Sequence, residues 1–253
     1  MQRLLVRRPS PNLAEGELTH LDRVPVDADL ALRQWEGYVD AFRERGWDVS
    51  EIAADDDQPD GVFVEDAVVV FADLVVLCRS GALSRRGEAK TVSSAADRLG
   101  LEVVSITEPG TLDGGDVLTV GRTVYVGAST RTNGAGIAQL RTFLEPRGWI
   151  VTDIPVSRVL HLKSGVTALP DGTVVGFEPL VDDPGLFPAF LGVPEAHGTA
   201  VVVLDDETVL MSADAPATAD LYRSRGLEVV TVDVSEFEKL EGCVTCLSVR
   251  VRG

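Results

Sequence analysis

Near the end of the sequence, "EGCVTCLSVRV" sets Cys243 and Cys246 three residues apart, with Cys78 far upstream. A thiolate is both a nucleophile and a metal ligand, so the pair invites several readings. A redox C-x-x-C motif opens a helix after a strand, whereas Cys246 precedes "LSVRV", which reads as a strand itself. A structural zinc site takes about four ligands, and no second cysteine pair is present. What remains is one reactive thiol beside a bystander, set against the commoner fate of a free cysteine, burial as an inert core residue.

A nucleophilic cysteine needs a proton partner, and the sequence offers His20, His161 and His197. His161 stands in the apolar run "RVLHLKSGVTAL" ahead of an expected strand, as a catalytic partner or as a satisfied core histidine. His20 and His197 read as surface or loop residues. Carboxylates gather where strands should begin: Asp60, Glu65 and Asp66 in "QPDGVFVEDAVVVF", and Asp113 and Asp116 in "GTLDGGDVLTV". Glycines there let backbone approach a ligand, although Asp and Gly also dominate ordinary turns. Arg85 in "ALSRRGEA" and Arg131 in "ASTRTNGAG" each follow an expected hairpin and precede a helix, which puts both at one end of the assembly. Arginine forks bind carboxylates bidentately.

The elements that must carry these groups repeat. "AFRERGWDVSEI", "AADRLGLEVVSI", "FLEPRGWIVTDI" and "LYRSRGLEVVTV" each read as a helix stopped by a glycine (Gly46, Gly100, Gly148, Gly226) and followed by a strand. In the first helix, Leu32, Trp35, Val39 and Phe42 form one apolar face. A degenerate fifth copy falls at "FPAFLGVPEAHG". In phase with these come hairpins, "DAVVVFADLVVLCRSG", "DVLTVGRTVYVGAS", "GVTALPDGTVVGFE" and "TAVVVLDDETVLMS", and a fifth forms if "CLSVRV" pairs with "LLVRRP". The expected fold is therefore an α/β, five-bladed propeller of repeated ββαβ units, closed by its terminal strands, as a single domain over 1–253. Its rival is a doubly wound α/β sheet.

Composition narrows the partners. In 253 residues, 23 Lys and Arg face 40 Asp and Glu, a net charge of -17 that disfavours nucleic acid and anionic membranes and suits a small cation. No stretch approaches the roughly 18 apolar residues of a membrane span, and no signal-like run opens the sequence, so the expectation is a cytoplasmic protein without a disulfide scaffold.

Taken in order, "PDGVFVED", "SRRGE", "LDGGDVL", "STRTN", "LHLKS" and "GCVTCLS" resemble the dimethylarginine dimethylaminohydrolases of the guanidine-modifying (pentein) superfamily, over essentially the whole chain. The resemblance implies a five-bladed propeller with an axial site. It implies Cys246 as nucleophile, His161 as acid and base, and Asp113 as the carboxylate orienting the imidazole. Glu65 and Asp66 would hold the guanidinium. Arg85 and Arg131 would clamp the α-carboxylate, and Asp60 with the carbonyls of Leu18 and Leu240 would receive the α-ammonium. Similar arginine deiminases carry an aspartate two residues after the histidine, where this sequence has Lys163, leaving room for methyl groups. Cys243 matches no catalytic position and is open to a disulfide with Cys246 or to helping His161 hold an inhibitory zinc.

The function implied is hydrolysis of Nω-methylated arginines to citrulline and an amine through a covalent cysteine intermediate, with no cofactor and no metal. The partner is a small guanidine, and a homodimer is allowed. The alternatives are another guanidine-modifying activity, deiminase or amidinotransferase, and a non-catalytic binding module of the same fold.

Overall fold

Short β-branched runs separated by tight turns cannot bury both faces alone, and they gather into sheets that share their faces with helices. In the computed structural model, which describes residues 2–252, the strands form five three-stranded sheets. β1 (Arg3–Val6) and β2 (Asp48–Glu51) belong to the first. The second holds β3 (Val68–Phe71), β4 (Leu74–Leu77) and β5 (Glu102–Ser105). The third holds β6 (Val117–Val120), β7 (Thr123–Ala128) and β8 (Ile150–Pro155). The fourth holds β9 (Val166–Ala168), β10 (Val174–Gly176) and β11 (Phe190–Gly192). The fifth holds β12 (Val201–Val203), β13 (Thr208–Ser212) and β14 (Glu228–Val232). β15 (Val249–Val251) returns to the first sheet and pairs antiparallel with β1, Arg3 opposite Val251 and Leu5 opposite Val249.

Each sheet repeats one pattern, an inner strand antiparallel to a middle strand that is parallel to an outer one. This is the five-bladed α/β propeller, with the first blade closed by strands from opposite ends of the sequence. No helix among the described residues is long and apolar enough to cross a membrane.

Helices carry the parallel crossovers from middle to outer strand: α1 (Ala28–Arg43), α2 (Ala89–Asp97), α3 (Gly134–Leu144) and, after the single turn α4 (Leu162–Gly165), α5 (Pro216–Ser224). A second short turn, α6 (Ser235–Glu238), follows β14. The side chain of Asp27 caps α1 by accepting from the Leu30 amide at 2.9 Å, and Trp35, Val39 and Phe42 bury the expected face, joined by Tyr38. The four helix-stop glycines all adopt left-handed φ, between 71° and 90°, a conformation that costs other residues about 1 kcal/mol or more. In the degenerate unit, two 3-10 turns, Glu178–Leu180 and Pro184–Leu186, replace the helix between β10 and β11. Pro179 and Pro184 each open one of these turns, and proline has no amide to continue a helical ladder.

The core is divided among the blades. Val92, Ala95 and Ala96 of α2 pack against Val68 and Val75; Ile137, Leu140 and Leu144 of α3 pack against Val117, Val124 and Val126. Each of these valine, leucine and isoleucine side chains, once buried, stabilises the fold by roughly 1.5–3 kcal/mol. With apolar contacts used between helix and sheet, the segments entering the inner strands are left to carry polar groups.

Candidate active site

Four of those entering segments bring the chemistry together. The 3-10 turns Pro59–Val62 and Val64–Asp66 precede β3, the turn Gly114–Asp116 precedes β6, His161 caps α4 ahead of β9, and Cys246 precedes β15. Asp60, Asp66, Arg85, Arg131, His161, Leu240 and Cys246 all line one cavity, with Glu17, Glu241 and Gly242. As it stands the cavity holds about 20 Å³, little more than one water molecule.

His161 is 3 % exposed and Asp113 is fully buried. The Nε2 atom of His161 lies 3.1 Å from Asp113 Oδ2, and its Nδ1 lies 3.7 Å from Asp66 Oδ1. Burial disfavours a charged ring, but the carboxylates of Asp66, Asp113 and Asp116 outweigh it and hold the imidazolium up to about pKa 9. Asp113 is fixed in turn by the Gly81 amide at 3.1 Å. Asp116 does not touch the ring by hydrogen bond; it accepts from the Leu162 amide at 2.9 Å and from the hydroxyls of Ser129 and Thr132, each at 2.6 Å, so it anchors the backbone that carries His161.

The paired glycines of "LDGGD" answer to close approach rather than turn shape. A Cβ on Gly115 would stand 2.7 Å from both His161 Nδ1 and Asp66 Oδ1, and one on Gly114 would stand 2.0 Å from the Glu65 carbonyl oxygen. Only hydrogen fits between the turn and the groups it packs against.

Asp66 accepts from the Gly115 amide at 3.0 Å and from Arg85 Nη1 at 2.7 Å. Burial would raise its pKa, yet His161 and Arg85 pull it down to about 2. Arg85 is engaged further by Glu88, through Nε at 2.8 Å and Nη2 at 3.0 Å. Arg131 is freer. Its Nη2 faces Glu17 Oε2 at 3.1 Å and Thr19 at 3.3 Å, whereas its Nη1 is buried without a hydrogen-bond partner. Asp60 accepts from the Glu17 amide at 3.0 Å, and burial raises its pKa.

Glu65 stands apart from the rest of the expected set. It lines a second cavity that runs along the inner strands, not the one that Cys246 lines. Its Oε1 pairs with Lys163 and with Arg250, each at 2.7 Å, while its Oε2 is buried with no partner. Neighbouring residues of a 3-10 turn point in different directions, which separates Glu65 from Asp66. Its amide still donates to the Cys246 carbonyl at 3.3 Å. Lys163 turns to Glu65 and is absent from the Cys246 cavity. Leu18 is partly buried against the core near α1 and does not line that cavity, whereas Leu240 does. Neither His20 nor His197 lines it, and His197 pairs with Glu238 at 3.0 Å.

Cys246 is 7 % exposed. Its Sγ lies 3.4 Å from Cys243 Sγ. That hydrogen bond, burial, and the carboxylates of Glu65 and Asp66 push its thiol pKa well up. The loop is fixed from behind by Tyr38 of α1, whose hydroxyl donates to the Val244 carbonyl at 2.9 Å and lies 2.7 Å from Ser248 Oγ.

A metal would find Asp66, Asp113 and His161 within 4.8 Å of one another. A metal ligand must be a neutral imidazole, so a metal there would have to displace the proton that the flanking carboxylates hold on His161.

Tyr38, Glu17, Glu88 and Glu241 escape the sequence reading. Glu88 had a signal, since it follows Arg85 by three residues and shares its helical turn. The others reach the site only through long-range contacts.

A thiol, an imidazolium and a row of acids at the hub of five α/β blades define a guanidine-modifying propeller. A family profile described as N,N dimethylarginine dimethylhydrolase, eukaryotic, matches residues 23–152. The N(G),N(G)-dimethylarginine dimethylaminohydrolase of Streptomyces coelicolor is 58 % identical over 99 % of this chain and 97 % of its own. That of Pseudomonas aeruginosa is 33 % identical over 98 % of each. A crystal structure of the Pseudomonas aeruginosa enzyme, a cysteine-to-serine mutant complexed with citrulline, superposes with a TM-score of 0.92 at 32 % identity, covering 98 % of both chains. The chain belongs to the dimethylarginine dimethylaminohydrolase family.

Proposed function

We propose that this chain hydrolyses Nω-methylated arginines to citrulline and dimethylamine or methylamine, with Cys246 as nucleophile, His161 as acid and base, and Asp113 orienting the imidazole. The whole chain acts as one catalytic propeller domain. The observation that carries the reading is one cavity that sets the buried, unpartnered Arg131 Nη1 donor in the same wall as Cys246, His161 and the Asp66 carboxylate. An unpartnered buried polar atom costs about 1–3 kcal/mol, and a ligand with a carboxylate for Arg131 at one end and a guanidinium for Asp66 at the other suits this cavity.

The guanidinium carbon is a poor electrophile because its charge is delocalised, so it must be held in plane beside a strong nucleophile. Asp66, which lines the cavity with Cys246, holds it. Bringing that cation beside Cys246 opposes the carboxylates that raise the thiol pKa, so thiolate forms when substrate arrives. Sulfur attacks the guanidinium carbon and gives a tetrahedral adduct. The amine departs once His161, charged at neutral pH, has given it a proton. The neutral imidazole then takes a proton from water, which attacks the remaining S-alkylthiouronium carbon. Collapse breaks the carbon–sulfur bond, returns the proton and releases citrulline.

At the other end, Arg131 and the one uncommitted Arg85 Nη1 hydrogen grip the α-carboxylate, and Asp60 with the carbonyl of Leu240 takes the α-ammonium. Lys163, drawn away to Glu65, leaves no carboxylate against the far guanidinium nitrogens. Methyl groups therefore meet no unmatched charge, which favours methylated arginine over arginine. A cavity of one-water size must open to admit an amino acid, and Glu17, bound to Arg131, is the side chain to move. The net charge of -17 suits a cationic small molecule in the cytoplasm.

Incubation with dimethylarginine, monomethylarginine and arginine, assayed for citrulline, tests the reading. Turnover of the methylated substrates with none by Cys246→Ser is the expected result. Turnover of arginine alone, or an adduct with a guanidine analogue mapped away from Cys246, overturns it.

A further inference from the structure

We propose that Cys243 is an oxidation site, converted by a hydroperoxide to a sulfenic acid that Cys246 resolves into a Cys243–Cys246 disulfide, stopping turnover reversibly. The consequence for turnover rests on the function proposed above; the disulfide itself does not.

Three observations carry it. The two sulfurs already touch at 3.4 Å, and the Cys246 amide donates to the Cys243 carbonyl at 3.1 Å, so residues 243–246 form one hydrogen-bonded turn. The ends of such a turn lie within about 7 Å of each other, and disulfides span about 4.4–6.8 Å between Cα atoms. Next, the two thiols face different spaces. Cys246 lines the substrate cavity, whereas Cys243 lines a separate cleft of about 250 Å³ whose walls include Leu21, Val159 and Leu180, and which shares Leu160, Glu241 and Gly242 with the substrate cavity. An oxidant therefore reaches the Cys243 sulfur without entering the substrate cavity. Finally, Cys78 is buried in the core beside β6 and α3, so the pair is singular among the three free cysteines.

Chemistry assigns the order of events. The sulfur that reacts with peroxide is the more thiolate-like and more accessible one. Cys243 is only partly buried, and hydrogen bonds from Cys246 and Thr245 outweigh burial to bring its pKa down to about 7. Its thiolate attacks the outer peroxide oxygen, the O–O bond breaks, and an alcohol or water departs. The Cys246 sulfur then displaces hydroxide from the sulfenic acid, which leaves as a second water. Two thiols lose two hydrogens and two electrons, and the hydroperoxide takes them. A small thiol reverses the step by exchange.

The test treats the full chain with hydrogen peroxide and with cumene hydroperoxide, substrate absent, and follows both mass and turnover. The tryptic peptide Leu240–Arg250 should appear two hydrogens lighter and refuse alkylation, activity should fall in parallel, and dithiothreitol should restore both. Cys243→Ser should keep turnover within a few-fold of the parent, lose the dithiothreitol-reversible phase, and inactivate slowly and irreversibly. Two alkylatable thiols remaining in that peptide after inactivation, or an undiminished reversible phase in Cys243→Ser, would overturn the proposal. If reduced protein hydrolyses no methylarginine, the functional reading fails while the peptide mass still decides the disulfide.

Discussion

The carboxylate of Glu17 lies 3.1 Å from the guanidinium of Arg131, and the second terminal nitrogen of that guanidinium has no partner. The fork is half engaged, with its vacant prong in the wall of the cavity that Cys246 lines. Arg131→Lys removes the second prong while keeping the charge. The Michaelis constant for dimethylarginine should rise roughly 10- to 100-fold, the worth of a charge-assisted hydrogen bond, with a smaller effect on kcat. The α-decarboxylated analogue, which has nothing for Arg131 to hold, should be indifferent to the substitution. Equal losses on both substrates would remove Arg131 from carboxylate binding.

Glu241 latches the same loop from the other side. Its carboxylate accepts from the amides of Thr19 at 3.0 Å, Leu21 at 2.9 Å and His20 between them. Glu241 itself has φ of 59°, so Glu241→Gly keeps the backbone and removes only the latch. Hydrogen exchange at Thr19, His20 and Leu21 should quicken about tenfold or more, while amides of α3 stay unchanged. Unaltered exchange at the three positions would mean that the loop is held by the Glu17 contacts to Arg131 and Asp60 instead.

Gly115 sets the position of the His161 ring. Gly115→Ala puts a methyl 2.7 Å from His161 Nδ1, and overpacking of this kind costs about 1–3 kcal/mol. A fold that survives should still lose turnover by about 100-fold, because small displacements of a proton donor are expensive. Gly134→Ala is the control, since a Cβ there meets nothing within 4 Å. Thermal melts and kcat for the two variants separate a displaced ring from a damaged fold.

The His161 imidazolium, held up to about pKa 9 from an ordinary 6.5, makes stability depend on pH. Its contribution is fully present below pH 6.5 and is lost as pH rises through 9. Linkage sets the size at roughly 3 kcal/mol. Asp66 reports the same attraction from the acid side: its contribution is present above its ordinary 3.8 and fades as pH falls through about 2, so the two are not added. Urea unfolding at about pH 6 and about pH 10 should show wild type losing more stability than His161→Gln across that interval. Parallel curves would mean that the ring is neutral in the folded protein.

What could be read from the sequence was what local chemistry encodes. The helix-stop glycines, the hairpins and the repeated acids before inner strands each leave a signature within a dozen residues, and five such units predict the ring. The groups implied by family resemblance, Cys246, His161, Asp60, Asp66, Arg85, Arg131 and Leu240, share one cavity. Glu65 shows where adjacency misleads, since consecutive residues in a tight turn serve different cavities. Glu17 and Glu241 carry no periodic signal. Their partners lie far along the chain, as with Thr19 and Glu241, 222 apart, and only tertiary structure brings them into register.

The inner strand of the first blade begins three residues after Cys246 and hydrogen-bonds to β1, whose Arg3 meets Val251. Joining segments so remote is the slowest kind of contact to make. The thiol therefore meets its imidazolium and acids only where that seam is paired, and it should lose them if the seam frays. Nascent or damaged molecules would then carry an ordinary cysteine, so reactivity itself reports that the circle is shut.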